Sequence, residues 1–348
     1  MAQAVLSIDL DAIRHNWRAL AALSGRAEAG AVVKADGYGL GAERVARVLA
    51  AAGVRRFFVA EAAEGVAIRQ AVGPGPEIFV FSGHMAGDAP AIAGAGLVPL
   101  LNAPEQAARH RAALPGHAFG VQLDTGMNRL GFEPADWQGL APELLALRPR
   151  LVMSHLACAD EPGHAMNAVQ LAAFRRMTEG MDVPRSLAAT GGILLGPEYH
   201  FDATRPGIGL YGGAPFGAAA PVVRLTLPVI QIREVAAGET VGYGNAWTAS
   251  RASRIATLGA GYADGLMRAL TGKAQVWHGA TPCPLVGRVS MDMMAADVTD
   301  LHEMPETLEI LGPAQGVDAL AAMAGTIGYE ILTALGPRYR RDYIAGAA

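Results

Sequence analysis

Side chains that could do chemistry end several short apolar runs in the first two thirds of the chain. They are Lys34 after AVV, Asp124 after HAFGVQL, His155 after RLVMS, Thr190 after RSLAA and Arg205 at the end of YHFDATR. A lysine amine can form an imine with an aldehyde, and a histidine can transfer protons near neutral pH. Taken singly, each residue is more typical of a solvated or hydrogen-bonded group than of a catalyst. These residues can therefore act together in catalysis only if the fold brings them to one place.

The runs that carry these residues alternate with helical patterns. Eight strand candidates lie between residues 31 and 205, and stretches such as GAERVARVLAAAG place apolar side chains on one helical face. This alternation predicts an α/β fold with an N-terminal (β/α)8 TIM-type barrel, in which all strands end at one mouth. An open doubly wound sheet is the alternative, but its first strand would usually lead into GxGxxG, and this one ends in KADGYG.

After residue 215 the alternation of strand and helix patterns ends. Short strand patterns such as LTLPVIQIREV and SRIATLG are divided by glycine, proline and asparagine, and one helical stretch follows near the end. This pattern predicts a C-terminal, mainly β domain. We expect residues 8–215 to form the barrel and residues 216–348, together with an N-terminal strand in residues 1–7, to form the β domain.

Two glycine-rich loops follow the seventh and eighth predicted strands, TGG at 190–192 and PGIG at 206–209. Barrels often bind phosphate at these two positions through backbone N–H groups, and small residues let the backbone approach an anion closely. Tyr38 adds a candidate hydroxyl. A phosphate site beside Lys34 at the barrel mouth predicts pyridoxal 5′-phosphate (PLP) as cofactor. A sugar-phosphate aldolase of the same fold uses similar parts and stays open as an alternative at this point.

Composition narrows the possible partners. The 348 residues carry a formal net charge of −4, are 51% hydrophobic and have a mean hydropathy of +0.24. This balance gives no general attraction to nucleic acid or to an anionic membrane. No uninterrupted apolar run reaches the roughly 18 residues that suggest a spanning helix, and two cysteines suggest no disulfide framework. We expect a cytoplasmic protein with no metal site, no nucleic acid partner and no membrane anchor.

The chain resembles alanine racemases, which are PLP enzymes built from a barrel and a β domain. The likeness runs nearly end to end and rests on AVVKADGYGLG, DTGMNRLGF, SHLACADEP, FDATRPGIGLYG, VGYGNAW, GAGYADG and GRVSMDMM, in that order. The resemblance implies racemisation of L-alanine and D-alanine by a two-base mechanism, supplying D-alanine for peptidoglycan. A broader or serine-preferring amino-acid racemase is the alternative, because an apolar pocket rejects one added hydroxyl weakly.

The same resemblance implies roles for individual residues. Lys34 carries PLP, and Tyr243 from the partner subunit of a homodimer is the opposing acid–base group. Arg205 faces the pyridine nitrogen of PLP, and His155 supports Arg205. Arg129 lies near the phenolic oxygen of PLP and the substrate carboxylate.

Further residues are implied for the cofactor and for the substrate. The cofactor contacts, mainly at the phosphate, are Tyr38, Thr190, Gly191, Gly207, Ile208 and Tyr329. The substrate side, also shared across the dimer, comprises Tyr262, Met291 and Asp292.

The chain departs from the family pattern at four places. Gln122 stands where many members have a lysine, Thr190-Gly191-Gly192 stands where Asn-Ser-Ala is usual, Ser290 replaces a cysteine, and GPRYRR replaces an Arg-Val-Pro-Arg-like stretch. A neutral amide at Gln122 is expected to hold Arg129 less strongly than a charged group would. The departures bear on PLP affinity, on the position of Arg129 and on substrate breadth.

Overall fold

Strands and helices alternate in the first two thirds of the chain in the computed structural model, which describes residues 3–345. The strands are β1 (Val5–Asp9), β2 (Glu28–Ala29), β3 (Ala31–Val32), β4 (Arg56–Val59), β5 (Glu77–Val80), β6 (Val98–Leu101), β7 (Gly120–Gln122), β8 (Val152–Met153), β9 (Arg185–Ser186) and β10 (Ala203–Thr204). The helices are α1 (Leu10–Leu23), α2 (Lys34–Tyr38), α3 (Ala42–Ala52), α4 (Ala62–Val72), α5 (Ala89–Ala95), α6 (Pro104–Ala113), α7 (Pro134–Ala146), α8 (Ala165–Met177) and α9 (Thr190–Leu195).

Strands β3 to β10 form the wall of a parallel barrel. β3 to β9 pair in chain order, and β10 pairs with β2. A parallel bridge joins Ala189 to Arg205, and the N–H of Val32 donates to the carbonyl of Pro206 at 2.9 Å. The eighth strand therefore links the seventh back to the first, and each of the eight strand candidates contains one of these strands. The barrel prediction is confirmed.

The barrel strands are almost entirely buried. Phe57, Phe58, Phe79 and Val80 have no measurable exposure, as expected where helices cover one face of a parallel sheet and side chains fill the other. This barrel unit comprises Ile13–Leu210 with Ala214–Ala219.

Of the described residues, the second compact unit contains 3–12, Tyr211–Gly213 and 220–345. Its further elements are β11 (Val223–Val235), β12 (Thr240–Val241), β13 (Trp247–Thr248), β14 (Ser253–Leu258), β15 (Gln275–His278), β16 (Thr281–Val286), β17 (Met294–Asp297), β18 (Thr307–Leu311), α10 (Val317–Ala324), α11 (Gly328–Ala334) and β19 (Arg340–Ile344).

An eight-stranded sheet dominates this second unit, in the order β14-β17-β16-β15-β18-β11-β1-β19. β11 is long and irregular near Val229, and it pairs with β1 and β18 over its first half and with β14 over its second half. The predicted C-terminal helical stretch is two helices, because Gly325 adopts a left-handed φ of 74° after α10. None of the helices formed by residues 3–345 is long and apolar enough to cross a bilayer.

Candidate functional site

Lys34 follows β3 and begins a turn whose following residues have the left-handed conformation. Ala35, Asp36, Gly37 and Tyr38 have φ of 52°, 53°, 62° and 56°, so α2 is a left-handed turn after its first residue. Such a conformation costs about 1–2 kcal/mol for each residue with an ordinary side chain. The turn therefore needs support from its surroundings. Part of that support is the bond from the Gly37 N–H to the Val33 carbonyl, at 2.9 Å.

The Lys34 amine is partly buried among charged and aromatic groups. Burial is the main cause that lowers its pKa, the positive charge of Arg129 lowers it further, and Glu64 opposes both. The amine lies 5.7 Å from the centroid of the Phe81 ring. A lowered pKa increases the neutral, nucleophilic fraction of a lysine amine.

Arg205 follows β10 and is fully enclosed, with 1% exposure. Its guanidinium donates to Ser186 Oγ at 2.5 Å, to the Ser154 carbonyl at 2.7 Å and to the Leu187 carbonyl at 3.3 Å. These hydrogen-bond partners within the described chain are all uncharged. Burial lowers the pKa of Arg205 to about 9, which leaves it protonated at pH 7.

Asp202 is not the ion-pair partner of Arg205, which would have been an ordinary structural role for that arginine. Its carboxylate accepts from the Arg185 backbone N–H at 2.8 Å and from Arg185 Nε at 3.3 Å. The buried charge of Arg205 is therefore held by carbonyl and hydroxyl dipoles.

His155 follows β8 and is surrounded by positive charge. Burial, followed by Arg205, Arg129 and Lys34, lowers its pKa to about 3. The imidazole is therefore neutral at physiological pH, and it can accept or donate a hydrogen bond without adding charge.

A buried hydrogen-bond network behind His155 was missed from the sequence. Gln170 Nε2 donates to the His155 carbonyl at 2.9 Å and to Thr125 Oγ1 at 3.2 Å, and Thr125 Oγ1 bonds to Ser154 Oγ at 2.8 Å. The network connects the His155 backbone to the segment that binds Arg205. Only the rarity of buried polar side chains marks these residues, and burial is not visible in the sequence.

The two predicted phosphate loops are joined to each other. Thr190 Oγ1 accepts from the N–H of Gly207 at 3.0 Å and from the N–H of Gly209 at 3.3 Å. No acceptor within residues 3–345 takes the N–H of Ile208. A Cβ on Gly207 would lie 2.5 Å from the Tyr38 hydroxyl, so a larger residue there would displace that hydroxyl. Tyr38, Thr190, Gly207 and Ile208 thus lie together as one small cradle. Its candidate donors to an anion are the hydroxyls of Tyr38 and Thr190 and the N–H of Ile208, since the Gly207 N–H already donates to Thr190.

Gly191 is the second position where the backbone comes close to another group. A Cβ there would lie 2.8 Å from Asp160 Oδ1 and 2.9 Å from Ala159 Cβ. Gly191 lies in the first turn of α9, where backbone N–H groups have no partner inside the helix.

Arg129 lies exposed in the loop after β7. Its charge acts on the pKa of both Lys34 and His155. The Gln122 amide donates to the Leu130 carbonyl at 3.1 Å. Gln122 therefore holds the backbone of Leu130, next to Arg129. The expected contact was with the Arg129 guanidinium instead.

Four of the other predicted residues meet in the second unit. Tyr243, Tyr262, Met291 and Asp292 line one cavity of about 450 Å³, together with Ser290 and Arg288 among others. Tyr243 is 72% exposed and Met291 is 54% exposed. Large exposed apolar and aromatic side chains in a group are typical of a surface that binds a partner.

Arg338 organises this group, although the sequence singled out GPRYRR only as a departure. Its guanidinium donates to Asp264 at 2.6 and 2.8 Å and to Asp292 at 2.7 Å. Asp264 in turn accepts from the Gly261 N–H at 2.9 Å, beside Tyr262. Tyr329 lies in α11 and does not line this cavity. Its predicted contact with the phosphate stays a prediction.

The barrel group has the chemistry that PLP requires. A lysine amine of lowered pKa lies near the mouth end of β3, and glycine-rich backbone with a tyrosine hydroxyl forms a cradle for an anion. A buried guanidinium held by uncharged groups can face an uncharged ring nitrogen without a competing carboxylate.

The comparisons with known proteins agree with this geometry. The family model for the alanine racemase N-terminal domain matches residues 8–215, and the model for the alanine racemase C-terminal domain matches residues 222–343. An alanine racemase of Dinoroseobacter shibae is 66% identical over 349 aligned positions and covers 100% of both chains.

Two solved structures have the same fold over almost the whole chain. One is alanine racemase from Bartonella henselae with covalently bound pyridoxal phosphate, at 36% identity and a TM-score of 0.94, covering 99% of this chain and 100% of that one. The other is the biosynthetic alanine racemase of Pseudomonas aeruginosa, at 36% identity and a TM-score of 0.93, with the same coverage.

Proposed function

The chain belongs to the alanine racemase family, and from this premise we propose how its own residues interconvert L-alanine and D-alanine. The enzyme is an isomerase that supplies D-alanine for peptidoglycan. The observation that carries the proposal is the Lys34 amine, which follows a barrel strand, has a lowered pKa and begins a fixed turn.

PLP is the proposed cofactor, linked covalently to Lys34. Bound PLP supplies an aldehyde for the amine and an electron-poor ring that acidifies the C–H bond beside a substrate amino group. Its phosphate is assigned to Tyr38, Thr190, Gly191, Gly207, Ile208 and Tyr329. Support comes from the Ile208 N–H and the close approach of Gly207 to the Tyr38 hydroxyl.

Racemisation requires a proton to leave one face of the α carbon and another to arrive on the opposite face. We assign Lys34 Nζ to one face and the hydroxyl of the partner's Tyr243 to the other. A cation beside this hydroxyl would assist proton transfer by stabilising the negative charge that forms on the oxygen. We assign this role to Arg288, which lines the same cavity as Tyr243 and whose guanidinium lies against the neighbouring residue, 3.2 Å from where a Cβ on Gly244 would stand.

Arg205 is assigned to the ring nitrogen as a donor that keeps its own proton. Its guanidinium stays protonated at neutral pH even with a pKa of about 9, so it does not transfer a full charge to the ring. This restrains electron withdrawal and favours simple return of a proton over side reactions. His155, which is neutral, adds no charge next to Arg205.

The substrate carboxylate is assigned to Arg129 and to the backbone N–H of Met291, with Tyr262 and Asp292 at the same side. We propose a homodimer in which the partner subunit contributes its cavity of Tyr243, Tyr262, Met291 and Asp292. The exposure of Tyr243 and Met291 in a single chain supports this assignment.

A racemisation assay by circular dichroism with PLP-supplemented protein tests the proposal, using alanine, serine and other small amino acids. We expect alanine to lose its optical signal fastest. Faster turnover of serine would identify serine, and not alanine, as the preferred substrate. Lys34→Ala should abolish both the visible absorption of the bound cofactor and turnover. A wild-type protein that acquires no such absorption would sink the assignment of PLP.

Tyr243→Phe separates binding from catalysis. It should retain the cofactor absorption and lose most of the racemisation, because only the hydroxyl group that exchanges the proton is removed. Tyr343→Phe removes a hydroxyl from β19, away from the cavity lining, and serves as the control. An undiminished rate in Tyr243→Phe would refute its role.

A further inference from the structure

Glu64 makes two backbone contacts that nothing in the proposed mechanism uses. It lies in the first turn of α4. One carboxylate oxygen accepts from the Ala35 N–H at 2.7 Å and the other accepts from the Ala60 N–H at 2.7 Å. A single carboxylate therefore connects the residue after Lys34 to the residue after β4.

The Ala35 N–H is the place where the chain enters its left-handed turn. Ala35 has φ of 52°, and the positive φ values continue through Tyr38 and Gly39. Ala35 and Tyr38 have side chains that disfavour this region, so the backbone must be held there by its partners. Hydrogen bonds from backbone N–H groups to a charged carboxylate are about twice as strong as neutral ones.

The turn also determines the positions of two functional groups. Its first residue is Lys34, which carries the amine, and Tyr38 carries the hydroxyl that lies against Gly207. A shift in the peptide between Lys34 and Ala35 changes the direction of the amine and the position of that hydroxyl together.

We propose that Glu64 is the positioning residue for Lys34, fixing the left-handed turn against the end of β4 so that the amine and the Tyr38 hydroxyl meet the same cofactor. This inference rests on the proposed function. The hydrogen bonds of Glu64 within residues 3–345 are to backbone N–H groups, so it acts through Lys34 and Tyr38.

The charge of Glu64 gives the proposal a second readout. The groups that face the Lys34 amine are Glu64 from α4, Arg129 from the loop after β7, the Phe81 ring and His155. Glu64 is the group among them that raises the pKa of Lys34. Removing its charge should lower the pH at which the amine becomes neutral and captures PLP.

The test compares full-length Glu64→Gln and Glu64→Asp with wild type. Glu64→Gln turns one acceptor oxygen into an NH2 group facing a backbone N–H, and it removes the charge. Glu64→Asp keeps the charge and is one methylene too short to reach both N–H groups. Glu43→Gln is the matched control, since Glu43 also lies in the first turn of a helix, α3, and pairs with the exposed Arg47.

Two quantities are measured on each protein: the rate at which PLP leaves the holoenzyme into a carbonyl scavenger, and the pH midpoint of PLP capture by protein stripped of cofactor. Glu64→Gln should release PLP about tenfold faster, the factor that one hydrogen bond to a charged group is worth. Its capture midpoint should move to lower pH. Glu64→Asp should release PLP faster with the midpoint unchanged, and Glu43→Gln should match wild type in both.

The outcomes separate this proposal from the function it rests on. If wild type captures PLP and racemises alanine but both Glu64 variants match Glu43→Gln, the role of Glu64 is refuted and the function stands. If wild type captures no PLP, the function itself fails. Should Glu64→Gln not fold, Glu64→Asp decides, because wild-type release from it contradicts the proposal.

Discussion

Ser186→Ala tests whether the buried charge of Arg205 is held by dipoles alone. Ser186 has no exposure. Its hydroxyl accepts from Arg205 Nη1 at 2.5 Å and donates to the Ala203 carbonyl at 2.6 Å. The substitution removes one bond to a charged donor and one neutral bond, and it leaves a buried guanidinium N–H without a protein partner.

The expected loss follows from these two bonds. A hydrogen bond to a charged group contributes about 1.5–3 kcal/mol net, and a neutral one about 0.5–1.5 kcal/mol. Ser186→Ala should therefore lower the free energy of unfolding by about 2–4.5 kcal/mol. Because Arg205 is also assigned to the ring nitrogen, the same variant should lose PLP faster than wild type.

Ser24→Ala is a matched control from the same unit. Ser24 is also buried, and its hydroxyl likewise makes two bonds, to the Leu20 carbonyl and to Thr204 Oγ1, both at 2.8 Å. Both partners are neutral, so about 1–3 kcal/mol should be lost. The predicted excess for Ser186→Ala is about 1–1.5 kcal/mol, the difference between a charged and a neutral bond.

Urea denaturation followed by tryptophan fluorescence measures this difference, because Trp17 and Trp137 lie in the same unit as Ser186. All proteins are compared without PLP and at one concentration, since ligand binding and association add to apparent stability. Equal losses for the two variants, or a larger loss for Ser24→Ala, would refute the view that Ser186 carries part of a buried charge.

Two further predictions concern the phosphate loops and the acid limit of stability. Thr190→Val removes the acceptor of the Gly207 and Gly209 N–H groups, so cofactor-free protein should lose about 1–3 kcal/mol in urea denaturation. The loss should be smaller with PLP, whose phosphate can accept the freed groups; an equal loss with and without PLP contradicts the cradle. For His155 the folded pKa of about 3 lies below the ordinary 6.5, so the unfolded chain binds the extra proton and stability falls as pH drops below 6.5, by up to about 1.4 kcal/mol per pH unit. His155→Gln should flatten this decline relative to wild type and to the exposed-site control His15→Gln, and an unchanged slope would show that His155 does not stay neutral.

The barrel could be predicted from the sequence because of how its strands are buried. Parallel strands covered on both faces read as short continuous apolar runs, such as RRFFVA and EIFVF. Their mouth ends then follow from the polar residue that breaks each run, which is how Lys34, His155 and Arg205 were found. In the β unit, β18 and β19 were missed. β19 reads RRDYI, and its charged residues hide the alternation expected of a strand.

The supports of the site could not be predicted, because they depend on contacts between distant segments. Ser186 and Ser154 meet Arg205 across 19 and 51 residues of chain, and the register that joins them is set by the closed barrel. The left-handed turn was hidden for a different reason. Gly37 and Gly39 suggest it, but Ala35 and Tyr38 adopt it only because tertiary contacts hold them there.

The charges around the barrel group explain why the cofactor and the fold should depend on each other. The groups that act on the pKa of Lys34 and His155 are three cations, Lys34, Arg129 and Arg205, and one carboxylate, Glu64. Cations close together in a partly buried site repel each other, and burial adds a further cost for Arg205. If PLP binds as proposed, its phosphate dianion and phenolic oxygen would bring compensating negative charge to this side of the barrel. Binding of PLP should therefore stabilise the folded chain more than binding of the same ligand to an uncharged site would. It follows that removing the charge of Arg129 should cost holoenzyme stability while relieving the cofactor-free chain, an opposite sign that simple loss of packing at an exposed arginine cannot produce.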